Sequence, residues 1–211
     1  MADELTFYTN PMSRGRIVRW MLEEVAAPYR TEVLDFGTTM KAPAYLAINP
    51  MGKVPAIRHG DTVVTECGAI CAYLADAFPE AGLAPPPGDR ARGPYYRWMF
   101  YTAGPFEAAV TNKSMGFEVP VERRGMAGYG CFDDVMNALE YAVSRHEYVA
   151  GDRFTAADVY FGSSIGWGLQ FGSIEKRSAF EAYYARLAAR PAAVRAREID
   201  DALIAKAQSP G

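Results

Sequence analysis

Asn49-Pro50-Met51-Gly52-Lys53-Val54-Pro55-Ala56-Ile57 is the stretch that decides how the first part of the chain folds. Its last four residues form a β-prone run with a proline at the strand start, where the missing N–H is tolerated. His59-Gly60-Asp61 then makes a turn, and Thr62-Val63-Val64 returns as the second strand of a hairpin. Upstream, Leu5-Thr6-Phe7-Tyr8 is another short β-rich run, closed by Thr9-Asn10-Pro11. From Arg16 the apolar period becomes helical, with Ile17, Val18, Met21, Leu22 and Val25 on one face and Glu23 and Glu24 outside it. Thr31 to Asp35 reads as a strand and residues 44–49 as a short helical turn. A helix from Glu66 to Phe78 sets Ile70, Tyr73, Leu74 and Phe78 at core spacing. The order β-α-β-(α)-β-β-α describes a small α/β domain over residues 1–80, with a right-handed first crossover.

Pro79, the run Pro85-Pro86-Pro87 and Pro94, interspersed with Gly82, Gly88 and Gly93, mark a boundary, with the linker placed at 81–90. Beyond it, over 91–211, the pattern is almost wholly helical: roughly 91–112, 126–146, 155–171, 176–189 and 191–206. Gly104-Pro105 should break or kink the first of these. Between Phe154 and Ile174 the only charge is Asp158, but Gly162-Ser163-Ser164 and Gly166-Trp167-Gly168 argue for a buried core helix over a membrane span. Thr155-Ala156-Ala157-Asp158 has the spacing of a capping box, and Phe154 and Val159 that of a hydrophobic staple. On the cap alone, Asp158→Ala should cost on the order of 1 kcal/mol.

The 211 residues are half hydrophobic and 22% charged, the balance of a soluble globular protein. Lys plus Arg number 22 against 25 Asp plus Glu, which argues against a nucleic-acid surface. The opening residues do not have the pattern of a secretory signal, so none is expected. Three cysteines are too few for a disulfide framework and point to a reducing, cytoplasmic setting. The two histidines, His59 and His146, lie far apart and no zinc motif is present, so no metal is expected.

Several motifs coincide: Arg19-Trp20-Met21-Leu22-Glu23-Glu24, the segment 49–57, Thr65-Glu66-Cys67-Gly68-Ala69-Ile70, Gly151 to Asp158, and Leu187-Ala188-Ala189-Arg190-Pro191-Ala192. Together, over nearly the whole chain, they resemble the cytosolic glutathione transferases, a family of detoxifying enzymes. The resemblance implies a thioredoxin-like N-terminal domain, an all-α C-terminal domain, a homodimer, and glutathione as co-substrate. It also implies a cis Val54-Pro55 bond, with the Val54 backbone pairing to the cysteinyl part of glutathione. Glu66 and Cys67, opening a helix, would hold the γ-glutamyl end, and Lys53, with Lys41 as a rival, the glycine carboxylate. Cys67 departs from the serine usual there. Because a thiol is a poor donor, its backbone N–H must carry more of the contact. Cys67 and Cys71, one helical turn apart, read first as small buried hydrophobes and second as a redox pair.

Thiol activation at neutral pH needs a pKa shift of roughly two units, or about 2.7 kcal/mol. The donor belongs between Tyr8 and Arg16. Ser13 is the first choice, in a position resembling the Ser-type classes, and its competing role is as a helix cap. Tyr8 and Asn10 are the alternatives, the latter resembling classes that reduce disulfides with glutathione. Arg14 or Arg16 would add positive potential. The turn Asn10-Pro11-Met12-Ser13 holds no cysteine, which sets thiol exchange through the protein aside. An electrophile pocket between the domains would draw on Met12, Tyr95, Tyr101, Phe106, Met115, Phe117 and Trp167, with residues 112–130 as a lid or a plain connection. Conjugation to a small apolar electrophile leads. Glutathione-dependent disulfide or peroxide reduction follows. Isomerisation of a dicarboxylic alkene, for which only Arg14 and Arg97 offer charge, and a non-catalytic binding relative stand behind them.

Overall fold

The computed structural model describes residues 4–208. Strand β1 (Leu5–Thr9) is buried along its length at the centre of a four-stranded sheet of order β2-β1-β3-β4. It runs parallel to β2 (Arg30–Val33) and antiparallel to β3 (Ala56–His59), which turns back into β4 (Thr62–Thr65). The hairpin read from the sequence is therefore present, with Ala56 opposite Thr65 and Tyr8. Alternation along β1 sends Phe7 towards helix α1 (Gly15–Val25), where it lies 4.9 Å under the Arg19 guanidinium. Tyr8 points to the other face, against Tyr45 of the short helix α2 (Pro43–Leu46). The expected apolar face of α1 is buried in full, and Arg19 is buried with it. Helix α3 (Cys67–Ala77) packs beside α1.

Residues up to Gly82, together with those from Ala189 onward, form one compact unit, and Leu83–Ala188 form a second. Whereas the sequence pattern groups every helix after residue 91 together, the last helix, α9 (Pro191–Gln208), packs on α1 in the first unit. Among the described residues, the ion pairs Arg16–Asp201, Arg19–Asp200 and Arg195–Glu23 join α1 and α9, and Arg190, just before α9, pairs with Glu24.

In the second unit, α4 (Arg92–Tyr101) runs through a π turn, Thr102–Phe106, into α5 (Glu107–Ser114). Pro105 thus neither breaks nor ends the helix. The wider turn takes up a residue that has no N–H and crowds the preceding turn, and the Thr102 hydroxyl donates to the Trp98 carbonyl at 2.7 Å. Helix α6 (Phe132–Arg145) begins later than its apolar pattern suggests, with Asp133 and Asp134 in its first turn favouring the start there. Helix α7 (Ala156–Phe171) is the buried core helix expected, followed by α8 (Ser178–Ala188). Its glycines are packing sites: a Cβ on Gly162 would lie 2.3 Å from Leu187, and one on Gly166 2.2 Å from Tyr184. Among the described residues no helix is long and apolar enough to cross a membrane.

The capping box at the start of α7 is more than a cap. Asp158 is fully buried and accepts from the Thr155 N–H (2.9 Å) and hydroxyl (3.1 Å), the Val149 N–H (2.8 Å) and the Tyr183 hydroxyl (2.8 Å). Burial pushes the Tyr183 phenol well above its usual range, so it remains a donor. Asp158→Ala would orphan all of these groups in the core. Urea unfolding should show a loss of about 3–5 kcal/mol, several times the cost of a surface cap, with Asp158→Asn intermediate.

Candidate functional site

The turn after β1 is held from several directions at once. Asn10, buried, donates its side-chain amide to the Leu34 carbonyl at 2.8 Å and accepts the Met12 N–H on Oδ1 at 2.9 Å. Its backbone carbonyl takes both the Ser13 N–H (3.0 Å) and the Ser13 hydroxyl (2.7 Å). The Ser13 oxygen in turn accepts the Gly15 N–H at 2.9 Å, satisfying one of the free donors at the start of α1. Gly15 has to be glycine: a Cβ there would sit 2.0 Å from Thr9 Oγ1 and 3.0 Å from Ser13 Oγ. The Pro11 carbonyl accepts from Arg16 Nε at 2.6 Å. Ser13 is half-buried, while Tyr8 is buried in a cluster with Met40, Tyr45 and Ala56.

The segment 49–55 is a second rigid turn. Asn49 accepts the Met51 N–H on Oδ1 (3.1 Å), donates Nδ2 to the Lys53 carbonyl (2.8 Å), and takes the Gly52 N–H on its own carbonyl (2.8 Å). Tyr45 donates its hydroxyl to the same Lys53 carbonyl at 2.6 Å, and burial pushes its pKa up to about 12, keeping the proton in place. Gly52 adopts φ 56°, and a Cβ there would meet the Met40 carbonyl at 2.7 Å. The Val54-Pro55 bond is cis. Among the described residues no hydrogen bond uses the Val54 N–H or carbonyl. Lys41 is tied to the Met51 carbonyl at 2.9 Å, whereas the Lys53 side chain is exposed.

Glu66, exposed at the start of α3, holds φ 68°, ψ 123°, a conformation that a residue with a Cβ rarely adopts. Cys67 follows it, buried, with its thiol towards the Arg14 carbonyl at 3.7 Å. That contact brings the N-termini of α1 and α3 together, so two sets of outward N–H groups and two positive helix ends share one edge of the first unit. Cys71 is fully buried, and burial pushes its thiol well above the ordinary range, the state of a core residue. The three cysteines are free. Among the described residues no cluster of His, Cys, Asp or Glu could hold a metal.

The residues expected around an electrophile are spread over different environments. Met12 and Met115 are exposed, Tyr101 and Trp167 half-buried, and Phe106 buried in the π turn. The Tyr101 phenol, raised to about 12 by burial, lies 3.4 Å from the Val135 carbonyl. A cavity of about 150 Å³ lies within the second unit between α5 and the start of α6, lined in part by Lys113, Phe117, Tyr129, Cys131 and Phe132. Of the expected wall residues only Phe117 reaches it. Sequence reading had missed the holding roles of Asn10, Arg16, Tyr45 and Asn49. For Asn49 the signal was there, since an asparagine three residues before a glycine in a proline-flanked turn is a turn-forming residue.

Two outcomes follow from this geometry. A thiol reagent at neutral pH should label one cysteine of the native protein, Cys131, which is half-exposed, and all three in urea. Glu66→Gly should relieve the strained backbone and raise stability by about 1 kcal/mol, whereas Glu66→Ala, which keeps the Cβ, should not; thermal unfolding of the pair separates the two.

Residues 12–77 match the glutathione S-transferase N-terminal domain, and residues 132–191 match the C-terminal domain. Glutathione S-transferase GST-4.5 of Xanthomonas campestris pv. campestris is 26% identical over 193 residues, 88% of this chain and 93% of that protein. The crystal structure of a glutathione transferase from Methylococcus capsulatus aligns with a TM-score of 0.77 at 28% identity, covering 93% of this chain and 98% of that one. A sphingomonad glutathione S-transferase complexed with glutathione aligns at 0.75 and 26% identity, over 93% and 98% of the two chains. The mixed sheet with its flanking helices is the thioredoxin-like part of that fold and the second unit its helical part; the chain belongs to the cytosolic glutathione transferase family.

Proposed function

We propose that the protein binds reduced glutathione along the Val54 backbone and the start of α3, holds its sulfur as a thiolate with Ser13, and transfers it to a small apolar electrophile. The observation that carries the reading is the division between committed and available groups. Both ends of the Asn10 amide are engaged in holding the turn, and Tyr8 packs on the α2 side of the sheet. The Ser13 proton, by contrast, rests on a carbonyl that already accepts the Ser13 N–H. Turning it to a sulfur anion gives up a neutral hydrogen bond worth about 1 kcal/mol for a charge-assisted one worth about 1.5–3. The start of α1 adds about 0.3–1 kcal/mol. Together these give about 0.8–3 kcal/mol, which at its upper end reaches the roughly 2.7 kcal/mol that a two-unit pKa shift requires.

The remaining contacts follow from the chemistry of the groups along this edge. The Val54 N–H and carbonyl suit an extended peptide, as an added strand would. Lys53 meets the glycine carboxylate, and Glu66 with the Cys67 N–H meets the γ-glutamyl group. In the transfer step the thiolate lone pair forms a carbon–sulfur bond while the carbon's bond to its leaving group breaks, that electron pair departing with the leaving group; the thiol proton has already gone to solvent. Met12, Tyr101, Phe106, Met115 and Trp167 are the proposed electrophile contacts. A homodimer in the cytoplasm belongs to the same reading, and Tyr96 and Phe100, exposed on α4, are apolar surface of the kind it would cover.

Thiolate absorbance of bound glutathione, followed against pH, tests the assignment. Ser13→Ala should raise the thiol pKa by about one unit, roughly tenfold less thiolate below it. An unmoved pKa would give the donor role to another group and turn attention to disulfide reduction, which consumes two thiols where conjugation consumes one.

A further inference from the structure

The Pro11–Met12 peptide, immediately before Ser13, is clamped at both ends. Its N–H goes to Asn10 Oδ1 at 2.9 Å, and its carbonyl receives Arg16 Nε at 2.6 Å. Proline fixes its own φ, and these two bonds restrain rotation of the peptide plane that follows it. Rotation would break both bonds and carry the Ser13 backbone with it. The plane therefore acts together with the Asn10 carbonyl, which takes both the Ser13 N–H and hydroxyl, in setting where that hydroxyl stands.

Arg16 does not hold the carbonyl alone. Its Nη2 reaches Asp201 Oδ1 on α9 at 2.5 Å. An arginine side chain has several rotatable bonds, and a single hydrogen bond leaves the guanidinium free to swing. A fork engaged at two points is fixed. We propose that Asp201 is a positioning residue for thiolate formation: through Arg16 it fixes the Pro11–Met12 peptide and so the Ser13 hydroxyl. The inference rests on Ser13 being the sulfur donor.

The pair is placed for position more than for stability. The Asp201 side chain is 65% exposed and that of Arg16 27%, a setting in which an ion pair contributes about 0–1 kcal/mol. The register of α9 on α1 is secured separately by Arg19–Asp200, Arg190–Glu24 and Arg195–Glu23. Removing the Asp201 charge should leave the helices docked and the turn loose.

The sign of the effect separates positioning from plain electrostatics. Taking a negative charge away from Arg16 would, through space alone, favour a nearby anion and lower the pKa of the glutathione thiol. A loosened Ser13 would raise it. In Asp201→Asn, the acid constant of bound glutathione should fall about three- to tenfold, and kcat at low pH by a similar factor, with KM for glutathione nearly unchanged. Asp201→Glu should restore most of both. Raising salt should bring wild type towards Asp201→Asn, because the exposed pair is screened as the Debye length falls from about 10 Å at 0.1 M to about 3 Å at 1 M; this measurement stands even where the variant does not fold. An unmoved or lowered pKa in Asp201→Asn, or a wild-type pKa indifferent to salt, overturns the proposal if Ser13→Ala has raised the pKa in the same assay. An unmoved pKa in Ser13→Ala overturns the parent reading instead.

Discussion

A buried arginine holds the first unit together. Arg19 and Asp200 are each 1% exposed and meet at 3.2 Å, with the guanidinium also donating to the Tyr29 hydroxyl and Thr31 and lying over the rings of Phe7 and Tyr29. One side chain thus ties α1 to β1, β2 and α9. Taking two charges out of water costs several kcal/mol per ion, and their attraction offsets this only when the surrounding hydrogen bonds are in place. Arg19 Nη2 and Asp200 Oδ2 lack hydrogen-bond partners among the described residues, so the pair is not an efficient source of stability. What it supplies is register. Together with Arg190–Glu24 and Arg195–Glu23, this directional pair fixes how α9 lies on α1.

Register matters because the site is made of small groups in fixed places. Asn10, Arg16, Tyr45 and Asn49 spend their hydrogen bonds on backbone carbonyls and N–H groups of two turns. Those turns present the Ser13 hydroxyl and the Val54 backbone. Groups held in this way are pre-organised, with little conformational freedom left to lose. The strained Glu66 is the counterpart, a residue held away from its preferred backbone by its neighbours.

Much of this was legible in the sequence. The hairpin after Pro55, the apolar face of α1 and the capped core helix follow from local pattern, and the cis proline from the family resemblance. Three features were not. The start of α6 was blurred because residues 126–131 mix apolar and glycine positions that suit either a helix or a turn. The π turn was hidden because Pro105 signals only that an ordinary turn is impossible, not which alternative replaces it. The place of α9 was the largest miss. Its pattern says amphipathic helix, and only Asp200 on its buried face, matched to Arg19 some 181 residues earlier, says what it covers. Within the site, Ser13 stood out as a hydroxyl ahead of a helix. That Asn10 was already committed required knowing that Leu34 returns beside it.

The return of α9 also makes the first unit discontinuous along the chain. A ribosome releases β1, α1 and the hairpin long before it makes Asp200, and through that interval Arg19 has no counter-ion from the last helix. For a flexible loop of that span closure costs about 4–5 kcal/mol, and the contacts that offset it form only once α9 has been made. A chain stopped between α8 and α9 would therefore carry the whole sheet and both rigid turns on an α1 whose outer face is left uncovered.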